Sequence, residues 1–169
     1  MKSFADLLIA WHAKSGRHHL PWQQSKDPYS VWVSEIMLQQ TQVTTVIDYY
    51  NRFMKKFPTI KALAYADEEE VMQLWSGLGY YRRARFLHEG AQMIVGEMES
   101  NFPSDFDMMM KIPGIGRSTA GAIAAFSFNQ KKAILDGNVK RVLSRYFLIS
   151  EWTGLPKTEK KLWHYAESL

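Results

Sequence analysis

Two carboxylates, far apart in the chain, stand in settings that suit acid–base chemistry. Glu35 is the one formally charged residue between Pro28 and Ile47. Its neighbours at helical spacing are Val31, Trp32, Leu38 and Gln39. A carboxyl on so apolar a segment is poorly solvated, and desolvation disfavours the ionised form and raises its pKa. A Glu held protonated near neutral pH is a general acid; the competing role is a structural carboxyl that bonds a backbone N–H or faces water. Asp136 lies in Leu135-Asp136-Gly137-Asn138-Val139-Lys140-Arg141, where a helix is expected to begin. It is either a helix cap or a charge-stabilising carboxylate. The two roles coexist, because the positive end of the helix dipole favours the ionised form. Asn138 can orient a substrate or a water beside it. An acid that protonates a leaving group and a carboxylate that faces developing positive charge are the two parts of glycoside hydrolysis. By analogy the same pair suits the N-glycosidic bond of a nucleoside.

A second feature suggests which nucleosides. Lys111-Ile112-Pro113-Gly114-Ile115-Gly116-Arg117-Ser118-Thr119 is a turn that feeds a helix expected over about Arg117 to Phe128. Gly114 and Gly116 can take φ > 0, and without side chains their backbone N–H groups can approach an anion. The unpaired N–H groups and the dipole of the following helix point at the same place, and Arg117 adds a charge. A bare Gly-x-Gly turn is more often a tight helix–helix connection with glycine caps; the longer run before a helix favours a phosphate cradle. It is not a dinucleotide fingerprint, since no strand precedes it and Thr119 takes the third glycine's place.

Gly77-Leu78-Gly79-Tyr80-Tyr81-Arg82-Arg83-Ala84-Arg85 is another glycine turn into a helix. It can contact phosphates and wedge Leu78 or Tyr80 into a base stack, or it is a capped helix end followed by a solvated basic face. Gln39-Gln40-Thr41-Gln42 can fill the gap left by an extruded base, or it is an ordinary cap and turn. Extrusion is required because the reacting bond is hard to reach inside the duplex. The five histidines (12, 18, 19, 88, 164) show no metal-ligand spacing, and Met108, Met109 and Met110 read as core filler.

The elements that position these groups are helical. Ser3 caps a helix bearing Phe4, Leu7, Leu8 and Trp11. Gly16 to Pro28 is a loop with Leu20, Pro21 and Trp22 as an apolar knot. Helices are expected over about Tyr29–Gln39, Gln42–Phe57, a segment capped by Asp67 and Glu70 that ends near Ser76, Tyr80–Met98, Ser104–Met110, Gly137–Ile149 and from Lys157 onward. The fold class is all-α, without repeats, low-complexity tracts or a convincing strand pair. With 169 residues, 46% of them hydrophobic, the chain is one domain or two small lobes. A formal charge of +4 and a pI near 9.2 suit a polyanionic partner. The absence of Cys excludes disulfides and cysteine-ligated metals or clusters in this chain. No apolar run reaches membrane-spanning length, and the N-terminus does not read as a signal peptide. These features read as a soluble intracellular protein. The final helix stops without a cap or polar tail, as in a truncated chain.

Five strings in order carry a family resemblance: Leu20-Pro21-Trp22; Val31 to Val43; Leu74 to Tyr81; Ile112 to Ile123; and Ile134 to Val142. On them the chain resembles, over nearly its whole length, the A/G-specific adenine DNA glycosylases of the helix-hairpin-helix base-excision superfamily. The resemblance implies a six-helix barrel over 28–133, with the helix-hairpin-helix at about 105–128. It implies a second lobe from 1–27 and 134–169, cut before the family's usual 4Fe–4S region and its 8-oxoguanine-reading domain. Glu35 matches the acid that protonates N7 of adenine. Asp136 matches the carboxylate that stabilises, and bonds to, the deoxyribose C1′, with Asn138 as its polar helper. Gln40, Thr41, Leu78, Gly79 and Tyr80 match residues that enter the duplex. Gly114, Gly116, Arg117 and Ser118 match the phosphate-binding hairpin. Leu20 and Trp22 lie where the adenine pocket is built. The carbonyls of Met110, Ile112 and Ile115 match a structural cation site. The implied partner is double-stranded DNA in which adenine opposes 8-oxoguanine or guanine. The implied enzyme is a monomer and a monofunctional glycosylase, cytoplasmic in bacteria or nuclear and mitochondrial in eukaryotes. Endonuclease III-like relatives for oxidised pyrimidines use a lysine nucleophile where this chain has Ser118, and no lysine lies between Lys111 and Lys131. A non-catalytic DNA-binding module is the other alternative; the presence of both Glu35 and Asp136 argues against it.

Overall fold

The computed structural model describes residues 3–169. Among these residues there are ten α-helices, one 3-10 turn and no strand. The helices are α1 (Phe4–Ser15), α2 (Pro28–Leu38), α3 (Val43–Lys56), α4 (Ile60–Ala64), α5 (Glu68–Trp75), α6 (Arg82–Glu97), α7 (Phe106–Met109), α8 (Arg117–Phe128), α9 (Gly137–Tyr146) and α10 (Pro156–Ser168). The chain divides into two compact units, residues 20–131 and residues 3–19 with 132–169.

The larger unit is built around α2. Asp27 caps it by accepting the Ser30 N–H at 2.9 Å, and Pro28 opens it, where a missing N–H costs nothing. Every residue from Tyr29 to Ser34, with Ile36 and Met37, is buried. Helices α3, α6 and α8 pack against it. Close approach is possible because α8 buries Ala120, Gly121, Ala122 and Ala124. On the α6 side, a Cβ on Gly90 would lie 2.8 Å from both Trp32 and Ile112. Fully burying an aromatic or branched side chain stabilises by about 1.5–3 kcal/mol, so Trp32, Phe53, Trp75 and Ile123, all at 0% exposure, make this the stable body of the chain. The Tyr29 hydroxyl donates to the Phe57 carbonyl at 2.8 Å and ties α2 to the end of α3. Burial pushes that hydroxyl's pKa far upward.

Several elements differ from expectation. Residues 20–27 belong to the larger unit, because the Pro21–Gln23 turn packs on α2 and α3 and Trp22 sets its ring edge-on to Tyr50 at 5.5 Å. Helix α4 is additional; Thr59 caps it by accepting the Ala62 N–H, and it packs on α6. Asp67 precedes α5 but makes no side-chain cap. Glu70 instead pairs with Lys56 at 2.8 Å, and Glu68 with Arg85 at 3.0 Å. Only Met109 of the methionine triplet is buried; Met108 and Met110 are exposed.

In the smaller unit Ser3 forms the expected cap: its hydroxyl accepts the Asp6 N–H while Asp6 accepts the Ser3 N–H. Leu135, Leu143 and Leu162 form the core, with Phe4 and Phe147 against them. Phe147 stacks on Tyr165 with centroids 3.9 Å apart. Helix α1 leaves Leu7, Leu8, Ile9 and Trp11 largely exposed. No helix among the described residues is long and apolar enough to cross a membrane.

Candidate active site and nucleic-acid interface

Glu35 lies in the last two turns of α2, between buried Ser34 and Ile36. It is half-buried and engaged with another group of the protein. Leu20 and Trp22 lie in and before the 3-10 turn that packs on the same helix; Leu20 is buried and Trp22 half-buried. Asp136 and Asn138 belong to the smaller unit and both are exposed. Asp136 is the N-cap of α9, its carboxylate accepting the Val139 N–H at 2.7 Å. The Asn138 side-chain oxygen accepts from Arg141.

The hairpin joins α7 to α8. The Ile115 N–H donates to the Ile112 carbonyl at 3.1 Å and closes the turn. Gly114 has φ +80, and a Cβ there would sit 2.9 Å from Phe86, so glycine is needed for both backbone and space. Gly116 differs from expectation: its φ of −89° and ψ of 175° are ordinary extended backbone. A Cβ at Gly116 would meet nothing within 4 Å. Its value lies in the open ground at the N-terminus of α8, where backbone donors point outward. Arg117 is exposed and Ser118 half-buried, and each has a partner within the protein. The Ile112 carbonyl retains one lone pair after closing the turn. Backbone oxygens are the donor type that a hard cation takes, which is the chemistry expected of the Met110, Ile112 and Ile115 carbonyls. Among the described residues, no group of three or more His, Cys, Asp or Glu side chains is placed to hold a metal.

The structure brings the three predicted DNA-contacting elements of the larger unit together. A groove of about 530 Å³ is lined by Gln39 and Gln40 from the loop after α2, Tyr80 from the turn before α6, Arg82 and Phe86 of α6, and Gly114 of the hairpin. Gln40 and Tyr80 both carry left-handed backbone, with φ of 56° and 50°. Such conformations cost about 1–3 kcal/mol for residues with a side chain and persist where the surroundings hold them. Tyr80 is 63% exposed. Leu78 is a correction: at 6% exposure it is part of the core, so its side chain supports the turn and does not project from it. The turn is tied down on several sides. The Tyr49 hydroxyl donates to the Ser76 carbonyl at 2.9 Å, and Trp75 Nε1 to the Gly79 carbonyl at 3.1 Å.

Arg83 is the residue whose role was missed. The sequence placed it among three arginines of a basic face. Its guanidinium instead turns inward and donates to six acceptors at the end of α2, in the loop after it and in the 77–80 turn. Desolvation lowers its pKa from the ordinary guanidinium value, yet arginine stays charged. The signal was available: Arg83 and Leu87, four residues later, share the stripe of α6 that continues through Ala91 and Ile94 into the core.

The chain has relatives. A family model described as HhH-GPD superfamily base excision DNA repair protein matches residues 33–168. The chain is 49% identical over 166 residues to the adenine DNA glycosylase of Buchnera aphidicola (strain APS), covering 98% of this chain and 47% of that protein. It is 45% identical to the adenine DNA glycosylase of Mus musculus, covering 99% of this chain and 34% of the relative. The chain thus spans about half the length, or less, of these curated relatives. Among solved structures, a thermostable thymine-DNA glycosylase superposes with a TM-score of 0.87 at 27% identity, over 98% of this chain and 76% of that one.

Proposed function

The chain belongs to the HhH-GPD superfamily of base excision DNA repair proteins, and from that premise we propose that it is the catalytic portion of an adenine DNA glycosylase acting on adenine opposite 8-oxoguanine or guanine. The observation that carries this reading is the 49% identity, across nearly the whole chain, to a protein of that name. The groove shared by Gln40, Tyr80 and Gly114 supports it as the surface that meets duplex DNA. The partner is double-stranded DNA, and the protein works as a soluble monomer wherever its cell keeps DNA.

The chemistry assigned to the residues is as follows. The hairpin and the N-terminus of α8 hold a phosphate by backbone N–H groups, with Arg117 and Ser118 at its edge. Gln40, Thr41, Gly79 and Tyr80 occupy the space around the mispair while adenine is extruded; Leu78 buttresses them from below. Leu20 and Trp22 receive the base. Glu35, as the carboxylic acid, gives its proton to N7, and the C1′–N9 electron pair leaves with the base. Asp136 stabilises the resulting sugar cation, bonding to C1′ until water supplies its oxygen and the carboxylate departs. Asn138 orients that step. The products are free adenine and an abasic site. The strand is not nicked, because Ser118 stands where a Schiff-base lysine would be needed. The 4Fe–4S cluster of the full-length family needs thiolates that this chain does not contain, so no step here runs through it. A hard cation at the Met110, Ile112 and Ile115 carbonyls would brace the hairpin against phosphate repulsion.

The test is adenine release by the full-length protein from a duplex carrying one adenine opposite 8-oxoguanine. Free adenine and an abasic site are expected, with no release from the matched A·T duplex. Release of an oxidised pyrimidine in place of adenine, or duplex binding with no base released, would overturn the assignment.

A further inference from the structure

We propose that Arg83 is a positioning residue that locks the 39–42 loop and the 77–80 turn into a single wedge, in register with the helix that carries Glu35. This rests on the reading above, in which those two segments enter the duplex.

The geometry is specific. Arg83 Nη1 donates to the carbonyls of Ile36 and Met37, at 2.9 and 3.1 Å, and to that of Gln39. These lie in and just after the last turn of α2, where helix carbonyls lack intrahelical partners and a cation is favoured by the dipole. Nη2 donates to the Thr41 hydroxyl and to the carbonyls of Leu78 and Gly79, each at 3.3 Å. One guanidinium therefore holds both segments at once. It also lies 5.5 Å from the ring centroids of Trp75 and Tyr80, one buried and one exposed. The two residues of the groove with left-handed backbone, Gln40 and Tyr80, each adjoin a residue whose carbonyl Arg83 holds: Gln39 and Gly79. A rigid planar fork can satisfy acceptors on two loops together, whereas an ammonium is a single point. A wedge that shifts by about 1 Å misplaces the extruded base, and a displacement of that size costs about 10²-fold in rate.

The experiment uses the full-length protein and Arg83→Lys, which keeps charge and approximate length. Without DNA, amide hydrogen exchange should quicken in 38–42 and in 77–80 together, while the core of α2 stays protected. With a duplex carrying 2-aminopurine beside the mispaired adenine, the fluorescence rise that reports extrusion should fall. Single-turnover adenine release should drop about 10²-fold, and duplex affinity should hold within about threefold because the hairpin is untouched. Exchange that quickens in one segment only, or in neither, overturns the proposal. So does extrusion at the wild-type level. A purely structural Arg83 would lower the melting temperature and leave extrusion and rate unchanged in the folded protein. If Arg83→Lys does not fold, Gln40→Ala, Tyr80→Ala and the double variant are compared with Arg83 intact. Losses in extrusion that fall short of multiplying, by at least about fivefold, support one wedge; losses that multiply overturn it. Failure of the wild-type protein to release adenine would sink the proposed function and leave the exchange result standing.

Discussion

Gly116→Ala isolates the proposed phosphate contact from everything else in the hairpin. The backbone at Gly116 is extended and an added methyl meets no atom within 4 Å, so the protein itself does not resist the change. Alanine restricts the unfolded chain and stabilises by about 0.4–1 kcal/mol. It is a poorer N-cap than glycine, by about 1 kcal/mol. The two offset, and the melting temperature of the full-length protein should move by no more than about 3 °C. DNA affinity should change far more. A hydrogen bond to a charged partner contributes about 1.5–3 kcal/mol, so blocking one N–H from a phosphate should raise Kd by about 10- to 150-fold. The loss should be equal for matched and mispaired duplexes, since phosphate contacts carry no sequence information. The salt dependence should be unchanged, because no protein charge is removed. The assay is fluorescence anisotropy on both duplexes over a salt series. Unchanged affinity, or a change in preference between the duplexes at constant affinity, would refute the phosphate role.

Three further outcomes are expected. Arg117→Ala should weaken both duplexes alike and reduce the slope of log K against log salt by about one, as loss of one phosphate-facing charge requires; an unchanged slope would place Arg117 away from the backbone. Tyr29→Phe should destabilise by about 1–3 kcal/mol, because it strands the buried Phe57 carbonyl; calorimetry showing no change would mean that carbonyl finds another donor. Borohydride added during turnover should trap no stoichiometric protein–DNA adduct, and a near-quantitative adduct would reveal an amine nucleophile.

What could be read from the sequence depended on how local the cause was. The Ser3 cap, the Arg117–Phe128 helix and the Asp136 cap have local causes, and each stands where expected. Helix α4 is five residues long, too short for periodicity to speak. Asp67 and Glu70 have the spacing of a capping box, yet Glu70 is drawn to Lys56, which is distant in sequence. Tyr80 reads as the start of a helix, but Gly77 and Gly79 at φ of +97° and +72° turn the chain, and Tyr80 follows them at positive φ. The spacing of glycines foretold a turn at 77–79 and said nothing of which side chain it would bury, so Leu78 went to the core and Tyr80 to the surface. Gln40 and Tyr80 were singled out by residue type, and the structure places both on one groove. The guanidinium that holds their loops was overlooked, because arginine ordinarily marks a solvated face; its spacing from Leu87, Ala91 and Ile94 was the signal that it faces inward.

The assignment of Asp136 is the claim on which the chemistry turns, and its structure allows a clean separation. Asparagine caps a helix as well as aspartate does, so Asp136→Asn should keep the Val139 contact and the stability while removing the charge proposed to stabilise the sugar cation. Single-turnover adenine release by the full-length protein, from a duplex with adenine opposite 8-oxoguanine, should fall by about 10²–10³-fold or more, with mispair affinity within about threefold of wild type. Release at the wild-type rate by Asp136→Asn would make Asp136 a helix cap and nothing more.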